Sequence, residues 1–229
     1  MPLKKSIQDF RGRQPGHPLT RILWWHFCHA LCVVWFAVCY RFRFFGQHHI
    51  PKTGPVLLVS NHQSMLDPII VGIGSSHRQF YAMARKTLWN NKLLGHMMNT
   101  LNAIPVDQDK PDASTMKRCI DILKQNHALL IFPEGARTLT GQTEPFEPGL
   151  MLIIKRAKPT IIPVALEGAY DAWPRTSKTP KPFGRITCQY GHPIPAEDLL
   201  DLPPKQALEH LRQTIESLRL ELADQMQQS

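Results

Sequence analysis

Apolar runs separated by polar loops and amphipathic stretches follow one another along most of the chain. Six short runs rich in β-branched, aliphatic or aromatic residues predict strands, at 56–59, 79–84, 102–106, 128–132, 160–166 and 185–190. The segments between them predict helices that start near residues 68, 88, 112, 150 and 203. Strands alternating with helices indicate an α/β fold, with a mixed, mostly parallel central sheet flanked by helices.

The first long apolar stretch has a different pattern. Residues 22–40 contain only two clearly polar side chains, His26 and His29, and would measure roughly 28 Å as a helix, close to the ~30 Å hydrocarbon core of a bilayer. Tryptophan and tyrosine near its ends are typical of a membrane interface. We therefore predict a basic arm with a membrane-anchoring helix at 1–45 and a globular domain at 46–229.

Four interpretations of this apolar segment compete: a signal peptide, a spanning helix, a core helix and a monotopic anchor in one leaflet. No small-residue cleavage site follows it, and it lacks the single apolar stripe of a core helix. The first 60 residues hold eight lysines and arginines but one acid, on both sides of the segment. Because basic flanks favour the cytosolic side, we prefer the monotopic anchor to a span.

Charge indicates the class of binding partner, and cysteine content indicates the cellular compartment. The net charge is +9, but its surplus surrounds the apolar segment, which favours anionic membrane lipid and not nucleic acid. The five cysteines form no Cys-x-x-Cys pair, so a reducing compartment is expected. The nearest approach to a metal-ligand set is a histidine and cysteine group inside the apolar helix (His26, Cys28, His29, Cys32), where packing explains these residues and no metal is predicted.

The segment 61–68 carries the first candidate chemistry. It follows a predicted buried strand and ends where a helix begins, which is where open α/β sheets place their ligand crevice. If the loop folds back, the Asp67 carboxylate can accept a hydrogen bond from one ring nitrogen of His62, and the other nitrogen is left as a base. The alternative is a plain capping loop in which Asp67 bonds backbone amides.

Three further segments follow predicted strands and carry charge. Residues 133–137 (Pro-Glu-Gly-Ala-Arg) offer an arginine fork for phosphate at Arg137 and a glycine, Gly135, beside Glu134. A glutamate–arginine surface pair is the alternative for that loop. Lys86 ends another strand within a basic pair, and Lys110 lies in a polar loop.

Four blocks in this order resemble the PlsC-type glycerolipid acyltransferase family. The first is Asn-His-x-x-x-x-Asp at 61–67, and the third is Phe-Pro-Glu-Gly-Ala-Arg-Thr at 132–138, with alanine in place of the family's threonine. The fourth is the apolar strand around Ile-Pro-Val at 162–164. The second block departs from the family, because Asn102 replaces its glycine and Gln108 replaces its phosphate-binding arginine.

The resemblance implies transfer of an acyl group from acyl-CoA or acyl carrier protein to the free hydroxyl of a lysophospholipid, 1-acyl-glycerol-3-phosphate in the best-known members. It implies His62 and Asp67 as the catalytic pair, with no cofactor. The phosphoglycerol would be held by residues of the charged loops (Glu134, Gly135, Arg137, Lys86, Lys110). The expected location is the cytoplasmic face of the inner membrane. Gln108 keeps another lysolipid acceptor open, and an inactive lipid-binding module is the non-enzymatic alternative.

Overall fold

A single mixed sheet with helices on both faces organises the computed structural model, which describes residues 18–106 and 113–228. The order of its seven strands is β1-β7-β6-β2-β5-β3-β4. All neighbouring strands are parallel except β6 and β7. The strands are β1 (Arg43–Phe45), β2 (Val56–Ser60), β3 (Phe80–Arg85), β4 (Ala103–Val106), β5 (Ala128–Ile131), β6 (Thr160–Glu167) and β7 (Thr187–Tyr190).

The described helices connect these strands or cover their two faces. The α-helices are α1 (Leu19–Tyr40), α2 (Asp67–Gly74), α3 (Lys92–Thr100), α4 (Ala113–Lys124), α5 (Gly149–Ala157), α6 (Ala169–Ala172), α7 (Ala196–Leu200) and α8 (Pro204–Gln227). Two short 3-10 helices occupy Gln47–His49 and Lys86–Asn90. The predicted α/β class with a mostly parallel, helix-flanked sheet is confirmed.

Six of the strands coincide with predicted runs, and the differences have local causes. β1 was not predicted, because its three exposed residues owe their extended conformation to pairing with β7 and not to an apolar pattern. The helix predicted from residue 88 is divided in two. Asn91 is extended there and its side chain caps α3 by accepting from Leu94 N at 3.0 Å.

Two apolar clusters, one on each face of the sheet, form the core. The fully buried β2 contributes alternate residues to them, Leu57 and Val59 to one and Val56 and Leu58 to the other. The first cluster also contains residues of α4, α5, α7 and α8, and the second contains residues of α1, α2 and α6. Burial on both faces explains why the parallel strands are continuous apolar runs.

Helix α1 lies along the domain over its whole length. It is the described helix that is long and apolar enough to cross a membrane. Hydrogen bonds tie its first turn, middle and end to the domain: Arg21 Nη2 to Asn102 Oδ1 at 2.6 Å, His29 Nε2 to Ile73 O at 2.8 Å, and Tyr40 OH to Lys181 O at 2.8 Å. The helix therefore packs on the second cluster through one face, although its sequence is apolar all round. The first 17 residues of the predicted basic arm lie outside the described residues, and the division at residue 45 stays a prediction.

The close contact between α2 and β7 gives a stability prediction. Tyr190 is fully buried and donates from its hydroxyl to Val71 O at 2.6 Å, and a Cβ at Gly74 would lie 2.6 Å from Tyr190 Cε2. Gly74→Ala should therefore destabilise the protein by about 1–3 kcal/mol. A Cβ at Gly72, in the same helix, would meet Phe80 Cζ at an ordinary 3.7 Å. Gly72→Ala should be neutral or stabilising by up to about 1 kcal/mol, because alanine is the better helix former. Urea unfolding of both variants measures the difference, and equal stabilities would contradict it.

Candidate active site

The first motif begins at the carboxyl end of β2, where the buried side chain of Asn61 links this strand to the neighbouring β6. Asn61 follows the strand, donates from Nδ2 to Leu166 O at 3.0 Å and accepts from Leu166 N at 2.8 Å through Oδ1. These two bonds replace the β2–β6 ladder at the point where the chain must turn away. His62 is therefore fixed in the crevice at the strand ends, as the sequence predicts.

Asp67 and His62 are in direct contact. Asp67 Oδ2 lies 2.7 Å from His62 Nδ1 and also accepts from the backbone N–H groups of Gln63 at 2.6 Å and Ser64 at 2.7 Å. The two interpretations of the sequence are thus both realised, since one oxygen holds the loop amides and orients the imidazole. The bond places the ring proton on Nδ1 and leaves Nε2 as the basic nitrogen.

The two partners have different environments. The Asp67 side chain is fully buried, whereas that of His62 is 19% exposed. Burial raises the pKa of Asp67, while the hydrogen bonds from His62, Ser64 and Gln63 act in the opposite direction. A carboxylate with three donors on one oxygen stabilises an imidazolium beside it. The arrangement can accept a proton on Nε2 without moving a heavy atom.

The segment 132–138 clamps His62 from the neighbouring strand end. The Phe132 ring stacks on the imidazole at a centroid distance of 4.1 Å and an interplanar angle of 18°. Glu134 Oε1 accepts from His62 N at 2.8 Å, and Thr138 N donates to His62 O at 2.8 Å. The backbone of the first motif is therefore held on both sides by the third. The sequence analysis expected Glu134 among the residues that hold the phosphoglycerol, and missed this backbone contact.

Glu134 is a buried carboxyl for which the described residues supply no ion pair. Burial raises its pKa to about 8, opposed by the bonds from the His62 and Glu144 backbones. Its Oε2 is buried and has no hydrogen-bond partner among the described residues. At pH 7 the protonated form is therefore favoured, in which Oε1 still accepts from His62 N and Oε2 can donate.

Gly135 is required for the turn that carries these residues. Its φ is +71°, in the left-handed region, and its N–H donates to Phe132 O at 3.2 Å. The space around it is open enough for a Cβ, which would lie 3.7 Å from Glu147 Cγ. Among the described residues, the requirement for glycine therefore comes from the backbone conformation.

Three arginines interact electrostatically near the His62–Asp67 pair. Burial lowers the pKa of Arg137, and the positive charges of Arg85 and Arg175 lower it further. Arg175 Nη1 donates to Arg137 O at 3.4 Å. Arg85 ends β3, which pairs with β5, the strand that leads into the Arg137 loop. Like charges gathered in this way create a positive potential that attracts an anion.

The remaining predicted phosphate ligands are an exposed lysine and residues that lie outside the described part of the chain. Lys86 is exposed at the start of a 3-10 helix, directly after Arg85. Lys110 and Gln108 lie outside the described residues. Their predicted relation to the acceptor phosphate therefore stays a prediction.

Arg175 is the site residue that sequence reasoning missed. It lies in the Pro/Lys-rich loop after α6, which has no motif of its own. A tight turn holds this loop, with Ser177 N donating to Pro174 O at 3.0 Å, and Ser64 Oγ of the first motif donates to Trp173 O at 3.1 Å. The serine in the first motif was the available signal, since it attaches the arginine loop to the catalytic loop.

A buried polar network supports the first motif from the far side. The Gln63 side chain donates to Gly141 O at 2.8 Å and accepts from Tyr170 N at 3.2 Å. It also lies 3.5 Å from Glu167 Oε2, which accepts from Arg219 of α8 at 2.7 Å. The closing helix predicted from the sequence thus supports the catalytic loop as well as covering the core.

Comparison with known proteins is consistent with this geometry. The acyltransferase family matches residues 41–167, more than half of the chain and all of the segments just described up to β6. The chain belongs to this acyltransferase family. The match confirms the class predicted from the first and third motifs.

Individual relatives extend the comparison. The chain is 27% identical over 186 residues to the 1-acyl-sn-glycerol-3-phosphate acyltransferase of Bacillus subtilis (strain 168), covering 81% of this chain and 90% of that protein. It is 32% identical over 144 residues to the Streptococcus pneumoniae protein of the same name, covering 62% of this chain and about half (51%) of that relative.

A solved structure shows the same fold. The crystal structure of the 1-acyl-sn-glycerophosphate acyltransferase PlsC from Thermotoga maritima superposes with a TM-score of 0.78 at 19% identity, covering 96% of this chain and 89% of that one. The chain therefore shares the fold of this structure over nearly its whole length.

The buried carboxyl of the third motif gives a pH prediction. Because the pKa of Glu134 is about 8 in the folded protein and near 4.5 when unfolded, unfolding releases a proton between these values. The contribution of Glu134 to stability is full below about pH 4.5 and is lost as pH rises through 8. The free energy of unfolding of wild type minus that of Glu134→Gln should fall from pH 5 to pH 8, by at most about 1.4 kcal/mol per unit. Urea unfolding at each pH measures this difference, and a pH-independent value would contradict the raised pKa.

Proposed function

We propose that the chain acylates 1-acyl-glycerol-3-phosphate with an acyl thioester, forming phosphatidate. The observation that carries the proposal is the 2.7 Å contact between His62 Nδ1 and Asp67 Oδ2, beside the three-arginine anion site. A module that only binds lipid has no use for an oriented base. The names of the Bacillus and Streptococcus relatives support this acceptor.

The base acts on the acceptor hydroxyl. His62 Nε2 takes its proton as the oxygen attacks the thioester carbonyl, and a tetrahedral oxyanion forms. Collapse of this intermediate breaks the C–S bond and transfers the acyl group. The imidazolium, stabilised by Asp67, then returns the proton to the leaving thiolate. The co-substrate is acyl-CoA or acyl carrier protein, and the proposed reaction needs no cofactor.

The acceptor phosphate is held by the three arginines. A guanidinium presents a planar pair of donors that matches phosphate oxygens, and three of them suit the dianion of a phosphate monoester. In this proposal Arg175 supplies the charge that the family takes from the arginine replaced here by Gln108. A phosphodiester head group carries only one negative charge and would bind to the three arginines less tightly.

The exposed face of α1 supports association with one leaflet of a bilayer. Its outward side chains are apolar or aromatic: Leu23, Trp24, Phe27, Leu31, Val34, Trp35 and Val38. The opposite face is bound to the domain at the beginning, middle and end of the helix. A helix held in this way lies on the membrane surface and does not cross it. Because the acyl donors are cytosolic, we place the protein on the cytoplasmic face of the inner membrane.

Removal of the base is expected to abolish turnover. His62→Ala should lower kcat by at least about 100-fold, since general base catalysis contributes that much or more. His192 provides the matched control, because it is an exposed histidine that follows β7 at the opposite end of the strands from His62. His192→Ala should keep full activity. Measurement uses labelled acyl donor and lysophosphatidate in detergent, and wild-type turnover by folded His62→Ala would exclude the mechanism.

Loss of the arginines is expected to weaken acceptor binding selectively. Arg137→Ala should raise the KM for lysophosphatidate about 10- to 100-fold, which corresponds to a charge-assisted hydrogen bond of about 1.5–3 kcal/mol. Arg175→Ala should raise it roughly fivefold or more, while the KM for the acyl donor stays constant. Lys178→Ala, an exposed cation in the same loop, is the control. Unchanged acceptor KM values would remove both arginines from the site.

A further inference from the structure

A second basic pocket lies at the β1 edge of the sheet, away from the catalytic pair. It has a volume of about 80 Å³, and three arginines line it, Arg41, Arg43 and Arg185. The remaining lining includes Phe45, Thr187 and Met226, and no described residue that lines the pocket is acidic. This concentration of positive charge is not used by the acyl-transfer mechanism.

The strand register places this pocket at the same end of the strands as the active site, that is, at the carboxyl ends of the parallel strands. Thr187 pairs with Glu167 at the carboxyl end of β6 and with Arg43 at the start of β1. Three strand spacings of about 4.8 Å separate β1 from β2, so the pocket lies roughly 14 Å from the strand that carries His62. The two basic sites are therefore separate, but both lie at the carboxyl ends of the parallel strands.

The pocket also adjoins the end of the membrane helix. Arg41 follows α1 directly, in the left-handed conformation (φ 44°), and its N–H donates to Phe36 O. Phe44 and Phe45 on β1 are 38% and 41% exposed. Arg41 and Arg43 thus lie along the chain between the exposed apolar side chains of α1 and the exposed aromatic side chains of β1, a pattern typical of segments at the depth of lipid phosphates.

We propose that Arg41, Arg43 and Arg185 bind the phosphate of an anionic bilayer lipid. Arginine forks match phosphate oxygens, and the Thr187 hydroxyl donates to Met226 Sδ at 3.3 Å, which holds the methionine side chain at the pocket. Arg185 Nη1 already donates to Met226 O at 2.9 Å, which fixes its guanidinium at the pocket. The lipid is a membrane component and not the acyl acceptor. Its binding orients the edge that carries His62 toward the bilayer, from which the lysolipid arrives.

The experiment compares binding to phosphatidylcholine vesicles with and without phosphatidylglycerol, using the full chain and co-sedimentation. The double variant R43Q/R185Q should lose most of the gain that phosphatidylglycerol gives, roughly fivefold per arginine, which corresponds to about 1 kcal/mol each. Binding to phosphatidylcholine alone should be unchanged. Because Arg185 also supports the end of α8, R43Q is measured by itself as well, and it should lose fivefold without a change in urea stability.

A control of equal charge separates a site from general attraction. Lys155 and Arg156 lie in the last turn of α5, shortly before the start of β6, and so at the opposite end of the strands from the pocket. K155Q/R156Q should keep the full phosphatidylglycerol gain. An equal loss in both double variants, or a loss that also occurs on phosphatidylcholine alone, would overturn the proposal.

Two further measurements complete the test. Millimolar inorganic phosphate should leave the phosphatidylglycerol gain intact, and its abolition would indicate a soluble anion as the ligand and overturn the lipid assignment. Turnover of a short-chain lysophosphatidate in detergent should be the same for R43Q and wild type. A matching loss of activity in detergent would show that the pocket belongs to the catalytic site, which would also overturn the proposal.

Discussion

The carboxylate of Asp67 is the point on which the rest of the site depends. A single oxygen accepts from the imidazole of His62 and from two backbone amides of the same loop. The loop conformation and the orientation of the base are therefore one constraint and not two. Burial of this group without the three donors would cost several kcal/mol, so the loop cannot open without losing the charge that the catalytic histidine needs.

The mixed sheet explains why so many charges meet at one edge. Parallel strands deliver every following loop to the same side, which brings the segments after β2, β3 and β5 together. The antiparallel β7 reverses direction, so that the residues before it, and those before its parallel partner β1, reach that edge as well. Acceptor binding, catalysis and the proposed lipid contact thus share one surface.

Membrane association and catalysis are connected through α1. The helix is long and apolar enough for a span, yet its hydrogen bonds to the domain occur along its length. A spanning helix would have to give up these contacts and the burial of Phe36 and Tyr40. The proposed one-leaflet arrangement places the domain close to the leaflet in which a lipid substrate diffuses, with the basic pocket at the level of the lipid phosphates.

The sequence by itself determined the α/β class and six of the strands, because these follow from the local apolar pattern. For the loop from His62 to Asp67 it offered two interpretations, and only the tertiary structure showed that the carboxylate bonds the imidazole as well as the backbone amides. Tertiary structure alone decided β1, which has no apolar pattern and is extended only through pairing. It also decided the bond from the His62 backbone to Glu134 and the approach of Arg175 to Arg137. These contacts join residues 38 to 72 positions apart, and no local preference of the chain specifies which distant loops will meet.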